Sequence, residues 1–169
     1  MKRKNPTIIL GIDPGTRVTG FGVLRLSSTI EAVDYGCIKL PTKKPLSYRY
    51  YLLFNAFTEL ITQHQPDEIA VEKQYLDQNF VSTTKLYGAK TALLIAAEQA
   101  KVPTAEYSAT KAKKAVTGYG LASKEQLQKT LQNLLSLEKI PEPEDASDAL
   151  SLAYCHANSV TFAARCMIT

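Results

Sequence analysis

Apolar residues fall along the chain in two rhythms, and the switching between them predicts the order of elements. Thr7-Ile8-Ile9-Leu10 is a β-branched and aliphatic run that reads as a buried strand. Gly11-Ile12-Asp13-Pro14-Gly15 then breaks it, placing Asp13 at the strand's end. Pro14 fixes φ and Gly15 permits φ > 0, so the chain is expected to reverse at once into a second strand around Val18 to Leu26. A looser alternation through Ile30, Ala32, Val33, Tyr35, Cys37 and Ile38 predicts a third strand over Thr29 to Lys39, completing an antiparallel meander. From Leu46 to His64 the period lengthens. Leu46, Tyr50, Leu53, Phe57, Leu60 and Ile61 recur at helical spacing, with Pro41 and Pro45 before them and Pro66 after.

The remainder alternates strand with helix. Glu68-Ile69-Ala70-Val71-Glu72 is a short buried strand, and the alanine-rich stretch Ser82 to Lys101 a second long helix. Val102 to Tyr107 predicts a further strand, and Ser108 to Val116 a helix stopped by Gly118-Tyr119-Gly120. Ser123 with Gln126 forms a capping box for a helix carrying Leu127, Leu131, Leu134 and Leu135. Pro141 and Pro143 punctuate the chain before a last helix, from about Glu144 past Tyr154. The expected architecture is α/β: a three-strand antiparallel meander plus two parallel strands, a five-stranded mixed sheet flanked by helices in a single domain over 1–169.

Composition narrows the class without choosing a function. Hydrophobic residues make up 45% of the 169 and charged ones 21%, which is globular usage and excludes a disordered or collagen-like chain. No apolar run is long enough to cross a bilayer, and Met1-Lys2-Arg3-Lys4 leads straight into a strand with no signal-peptide pattern, so a cytosolic protein is expected. Cys37, Cys155 and Cys166 are odd in number and lack C-x-x-C spacing; they are expected as buried thiols rather than as disulfides or zinc ligands. A net charge of +4 permits nucleic-acid binding without requiring it. The two histidines, His64 and His156, lie on predicted helices and read as structural.

Four acids carry the candidate chemistry. Asp13 can cap its own turn or present its oxygens to a metal ion or phosphate at the sheet edge. Glu72 ends the fourth strand, and in a mixed sheet that end can lie beside the end of the first. Asp145 and Asp148, three apart, share one face of the last helix, where they can complement the helix dipole or join the other two. Four carboxylates at one point repel and raise one another's pKa, which a divalent cation relieves. Oxygen-only ligands favour Mg²⁺ or Mn²⁺ over zinc. Two such ions, about 3.5 to 4 Å apart, activate water and stabilise the leaving oxygen of a phosphoryl displacement. The reaction class is metal-dependent phosphodiester hydrolysis.

Gly11-Ile12-Asp13-Pro14-Gly15 with Thr19-Gly20-Phe21-Gly22, Gln65-Pro66-Asp67 before Ala70-Val71-Glu72, and Asp145-Ala146-Ser147-Asp148-Ala149-Leu150 resemble, in this order and spacing, the RuvC family of Holliday junction resolvases. The resemblance implies an RNase H-like fold and a homodimer that binds a four-way DNA junction and nicks two strands symmetrically, leaving 5′-phosphates. It implies Asp13, Glu72, Asp145 and Asp148 as catalytic metal-binding acids, with Mg²⁺ (or Mn²⁺), two ions per site. It implies Tyr75, three residues after Glu72, as a base-stacking aromatic where the family more often has Phe. Lys113 and Lys124 match lysines near the DNA and the active site, Lys124 as a phosphate contact or charge stabiliser. Lys111, Lys114, Lys85 and Lys90 extend a basic track on this reading. The helix containing Leu86-Tyr87-Gly88-Ala89-Lys90-Thr91 resembles the family's dimer interface, and the RuvA–RuvB branch-migration complex is the implied partner.

Three other readings stand beside this one. The actin, Hsp70 and sugar-kinase group shares a Gly-Ile-Asp-x-Gly-Thr loop, but binds ATP between two such domains in chains about twice as long. A RuvC-like family linked to ribosomal RNA processing tends to end its fourth strand in Val-Gly-x-Pro, where this chain has Val71-Glu72. A catalytically silent junction binder would need none of the four acids, which repel DNA phosphates.

Overall fold

The computed structural model describes residues 6–75 and 80–166. In chain order the elements are β1 (Thr7–Asp13), β2 (Val18–Leu26), β3 (Ile30–Lys39), α1 (Leu46–His64), β4 (Glu68–Glu72), α2 (Phe80–Gln99), β5 (Thr104–Tyr107), α3 (Ala109–Thr117), α4 (Lys124–Leu134) and α5 (Glu144–Cys166). The strands form one sheet in the order β3-β2-β1-β4-β5. β1–β2 and β2–β3 pair antiparallel, while β1–β4 and β4–β5 pair parallel, as the meander followed by crossovers requires.

Period-two alternation sends successive β1 residues to opposite faces. Leu10 and Ile12, with Val23, Ile69 and Val71, meet Leu53, Phe57 and Leu60 of α1 and Leu93 of α2. Ile9 and Leu24 point the other way, onto Leu127 and Leu131 of α4 and Leu150, Ala153 and Ala157 of α5. Phe57, Leu53, Leu10, Ile12 and Leu93 are fully buried, each stabilising by about 1.5–3 kcal/mol relative to exposure. Asp13 shares the parity of Ile9 and so belongs to the α5 face.

That face is unusually shallow. At Gly11 a Cβ would lie 2.1 Å from the Ala149 carbonyl oxygen, and at Gly20 it would lie 1.9 Å from that of Asp145. Only glycine lets the α5 backbone come so near, and Ala146, Ala149 and Ala153 supply a matching small-residue surface, all three fully buried. Gly20 is the cross-strand partner of Asp13. The first turn of α5 is thereby pressed against the strand pair that carries Asp13.

The turn after Asp13 differs from expectation in one respect. Gly15 does not use a positive φ; Gly118, at the end of α3, is the glycine in that region among the described residues. Gly15 is required sterically instead, because a Cβ there would sit 1.9 Å from the Val18 carbonyl oxygen. Thr19 pins the same turn: its hydroxyl donates to the Gly15 carbonyl (2.9 Å) and accepts from the Gly15 N–H (3.0 Å).

Candidate active site

β1 and β4 are locked in register at their beginnings. The Ile8 N–H donates to the Asp67 carboxylate (2.8 Å), and the Asp67 N–H donates to the Ile8 carbonyl (2.8 Å). Pairing continues through Ile12 opposite Val71. One step further on come Asp13 and Glu72, each five residues past that lock. Both side chains emerge on the α5 face, at the carboxyl ends of adjacent parallel strands. Asp67 therefore works as a register peg for the acid pair, a role not assigned to it from sequence.

Protonated Asp13 is within hydrogen-bonding reach of the Glu72 carboxylate. Burial, that bond to Glu72, and the charges of Glu72, Asp148 and Asp145 push Asp13 up to about 9. Asp148 is also raised, chiefly by burial, against the opposing pull of Lys124 and Lys113. A crevice of ≈ 80 Å³ opens between β4, α3 and α5, lined by Glu72, Ala112, Lys113, Asp148 and Ser151. The structure thus gathers Asp13, Glu72, Asp145 and Asp148 into one electrostatic cluster with Lys113 and Lys124 at its margin.

The donor set fits a hard divalent cation. Among the described residues, the anionic groups gathered there are carboxylates, without the thiolate or imidazole that zinc would favour. As they stand, no three His, Cys, Asp or Glu side chains among the described residues are drawn tightly enough to enclose an ion. A cation would offset the burial and the neighbouring negative charges that hold Asp13 so high.

Lys124 is set by the capping box of α4. The Ser123 hydroxyl accepts from the Gln126 N–H and the Gln126 side chain accepts from the Ser123 N–H, fixing the first helical residue. The Lys124 ammonium binds Glu144 at 2.5 Å, and this bond, with the nearby charges of Asp148 and Asp145, raises its pKa. Glu144 is not singled out by the sequence; it sits immediately before Asp145 and ties α4 to the start of α5.

The remaining predicted contacts divide. Tyr75 is 61% exposed just beyond β4, with the Lys73 ammonium 5.4 Å from its ring centre. Lys114 and Lys85 are exposed, while Lys111 lies over the Tyr107 ring at 4.9 Å. Lys90 does not extend a basic track: it is buried and paired with Glu106 at 2.8 Å. Cys155 is buried as expected, but Cys37 is only half-buried, and the Cys166 side chain lies outside the described residues. His156 is structural in an unforeseen way, joining the Tyr107 hydroxyl (2.8 Å) to Glu68 (2.7 Å) and so tying α5 to both parallel strands.

With this geometry in place, the comparison with known proteins is decisive. The profile of the family described as crossover junction endodeoxyribonuclease RuvC matches residues 9–156, nearly the whole chain. The chain belongs to the RuvC family. The RuvC of Protochlamydia amoebophila is 49% identical over 154 residues, covering 90% of this chain and 92% of that one. The RuvC of Magnetococcus marinus is 43% identical over 159 residues, covering 94% and 88%. Among solved structures, Thermus thermophilus RuvC in complex with a Holliday junction substrate superposes with a TM-score of 0.84 at 25% identity, covering 92% of this chain and 96% of its own. The RuvC fold is RNase H-like, and the five-stranded mixed sheet seen here is that fold. RuvC membership displaces the phosphotransferase and RNA-processing alternatives.

Proposed function

We propose that this RuvC-family endonuclease resolves four-way DNA junctions by metal-assisted hydrolysis of one phosphodiester in each of two symmetric strands, leaving 5′-phosphates. The observation that carries this reading is the meeting of Asp13 and Glu72 across β1 and β4, faced by Asp145 and Asp148 from α5. These four would hold Mg²⁺, with Mn²⁺ an acceptable substitute; two bound ions would supply a nucleophilic water and charge neutralisation for the leaving oxygen. Asp13 would give up its proton on metal binding, and Asp148 lies on the wall of the crevice where a phosphate would enter. Lys113, on that same wall, and Lys124, held by Glu144, set positive charge against the phosphoryl oxygens. Lys111 and Lys114 of α3 extend this charge along the backbone of the bound strand.

Exposed Tyr75 offers a π-face on which a junction base can stack, a contact worth about 1–3 kcal/mol. One active site cuts one strand, so paired cuts call for a twofold assembly. Phe80, Val81 and Ile95 of α2 are each more than half exposed, and this face would form the homodimer. We read the chain as one nuclease domain acting on DNA in the cytoplasm alongside a RuvA–RuvB complex; no described helix is long and apolar enough to cross a membrane.

The test is cleavage of a synthetic four-way junction, a linear duplex and a single-stranded RNA, each with and without Mg²⁺. Junction-selective, Mg²⁺-dependent nicking is expected, abolished by Asp13→Asn with junction binding retained. Nicking that survives Asp13→Asn, or equal cutting of the RNA, would falsify the proposal.

A further inference from the structure

Three residues past Asp13 the chain enters a second crevice, ≈ 370 Å³, on the other side of the β1–β2 turn. Thr16 and Arg17 of the turn, Thr42 of the β3–α1 loop, Arg49 of α1, and Ser82 and Lys85 of α2 line it. Among the described residues, three cations and three hydroxyls converge there and no acid lines it. Like charges held close repel, and a bound anion relieves that repulsion. Arg49 is the built element. Its guanidinium donates to the Thr16 carbonyl at 2.7 Å, while its Nε is buried with no partner among the described residues. An arginine presents five N–H donors in a rigid fork matched to oxyanions, and here a buried one is left over.

We propose that this crevice binds a backbone phosphate of the same DNA strand whose scissile bond lies at Asp13. Three residues of chain span at most about 11 Å, and one strand of B-DNA advances about 3.4 Å per nucleotide along its axis. Allowing for side-chain reach, the crevice phosphate is expected within a few nucleotides of the cut. The β1–β2 turn acts as a ruler: Asp13 stands at one end, the phosphate crevice at the other, and the Thr19–Gly15 bonds fix the interval. The ligand is a phosphodiester, because open crevice walls with exposed Arg17 and Lys85 admit a continuous strand.

The inference rests on the junction-nuclease reading, and its test keeps the two apart. Arg17 and Lys85 are exposed, so an Arg17→Gln/Lys85→Gln double variant of the full chain should fold normally. Junction binding is measured in chelator across a salt series. Losing two phosphate-directed charges should flatten the log–log salt slope by about 2 and weaken binding roughly 10- to 60-fold at 0.1 M salt. Junctions carrying one methylphosphonate at each of the three positions on either side of the cut then locate the contact. In the wild type one position should cost affinity, and in the double variant, which keeps Arg49, that same position should cost less. An unchanged slope, or methylphosphonate effects identical in the two proteins, overturns the crevice assignment. Wild-type protein that fails to nick the junction in Mg²⁺ overturns the junction-nuclease reading itself, and the ruler with it.

Discussion

Replacing Asp13 by Asn should make the metal-free protein progressively more stable than the wild type as pH rises, even while it removes activity. In the fold Asp13 keeps its proton to about pH 9, against an ordinary value of 3.8 in the unfolded chain. Between these values the folded state binds a proton that the unfolded state has released, so unfolding becomes easier with each step up in pH. The stabilisation is complete below pH 3.8 and gone once the pH passes 9. The slope is about 1.4 kcal/mol per pH unit, so from pH 5 to pH 8 the wild type should lose up to about 4 kcal/mol through this one group. The amide of the Asp13→Asn variant has no proton to lose, and it can still donate to Glu72. Denaturant unfolding of both proteins in chelator at pH 5, 6, 7 and 8 reads the effect, since titrating groups remote from the cluster cancel in the difference. The gap should widen steadily with pH, and Mg²⁺ should close it by stabilising the wild type alone. Parallel profiles within about 0.5 kcal/mol would show that Asp13 is not the strained member of the cluster.

Gly20→Ala should drive a methyl group into the Asp145 carbonyl, displacing the start of α5; a cost of about 1–3 kcal/mol in stability and a rate loss of about 100-fold are expected from thermal melts and single-turnover cleavage. Glu106→Ala should leave Lys90 buried and unpaired, destabilising by about 3 kcal/mol without altering the salt dependence of DNA binding; an altered slope would return Lys90 to the basic track. Ser123→Ala should cost about 1 kcal/mol by removing half the capping box, measured by urea denaturation. Tyr75→Ala should weaken junction binding by about 1–3 kcal/mol and Tyr75→Phe by almost nothing; equal losses would mean the hydroxyl, not the ring, makes the contact.

Much of this is legible in the sequence because local rules and global fold agree. Strand runs, proline punctuation and the Ser123–Gln126 box each fix an element without reference to the others, and the strand order follows from which connections are hairpins and which are helical. Asp13, Glu72, Asp145 and Asp148 stand out because acids rarely end buried strands or interrupt an alanine surface. What escapes is pairwise and long-range. Asp67 reads as a turn residue until its carboxylate is seen on Ile8, fifty-nine positions away. Lys90 reads as a surface cation because a single apolar stripe cannot reveal Glu106 across from it. Gly15 suggests backbone freedom, and only the neighbouring strand shows that space is the reason.

The acids come from both ends of the chain, at positions 13, 72, 145 and 148, and the helix bearing the last two also covers the sheet face that the first two share. A nascent or truncated polypeptide lacking α5 holds a bare carboxylate pair on an unfinished, uncovered sheet. It lacks two of the four acids and the α5 residues Leu150, Ala153 and Ala157 that cover that face. On the proposed reading, nicking competence would arrive with the same docking event that finishes the core.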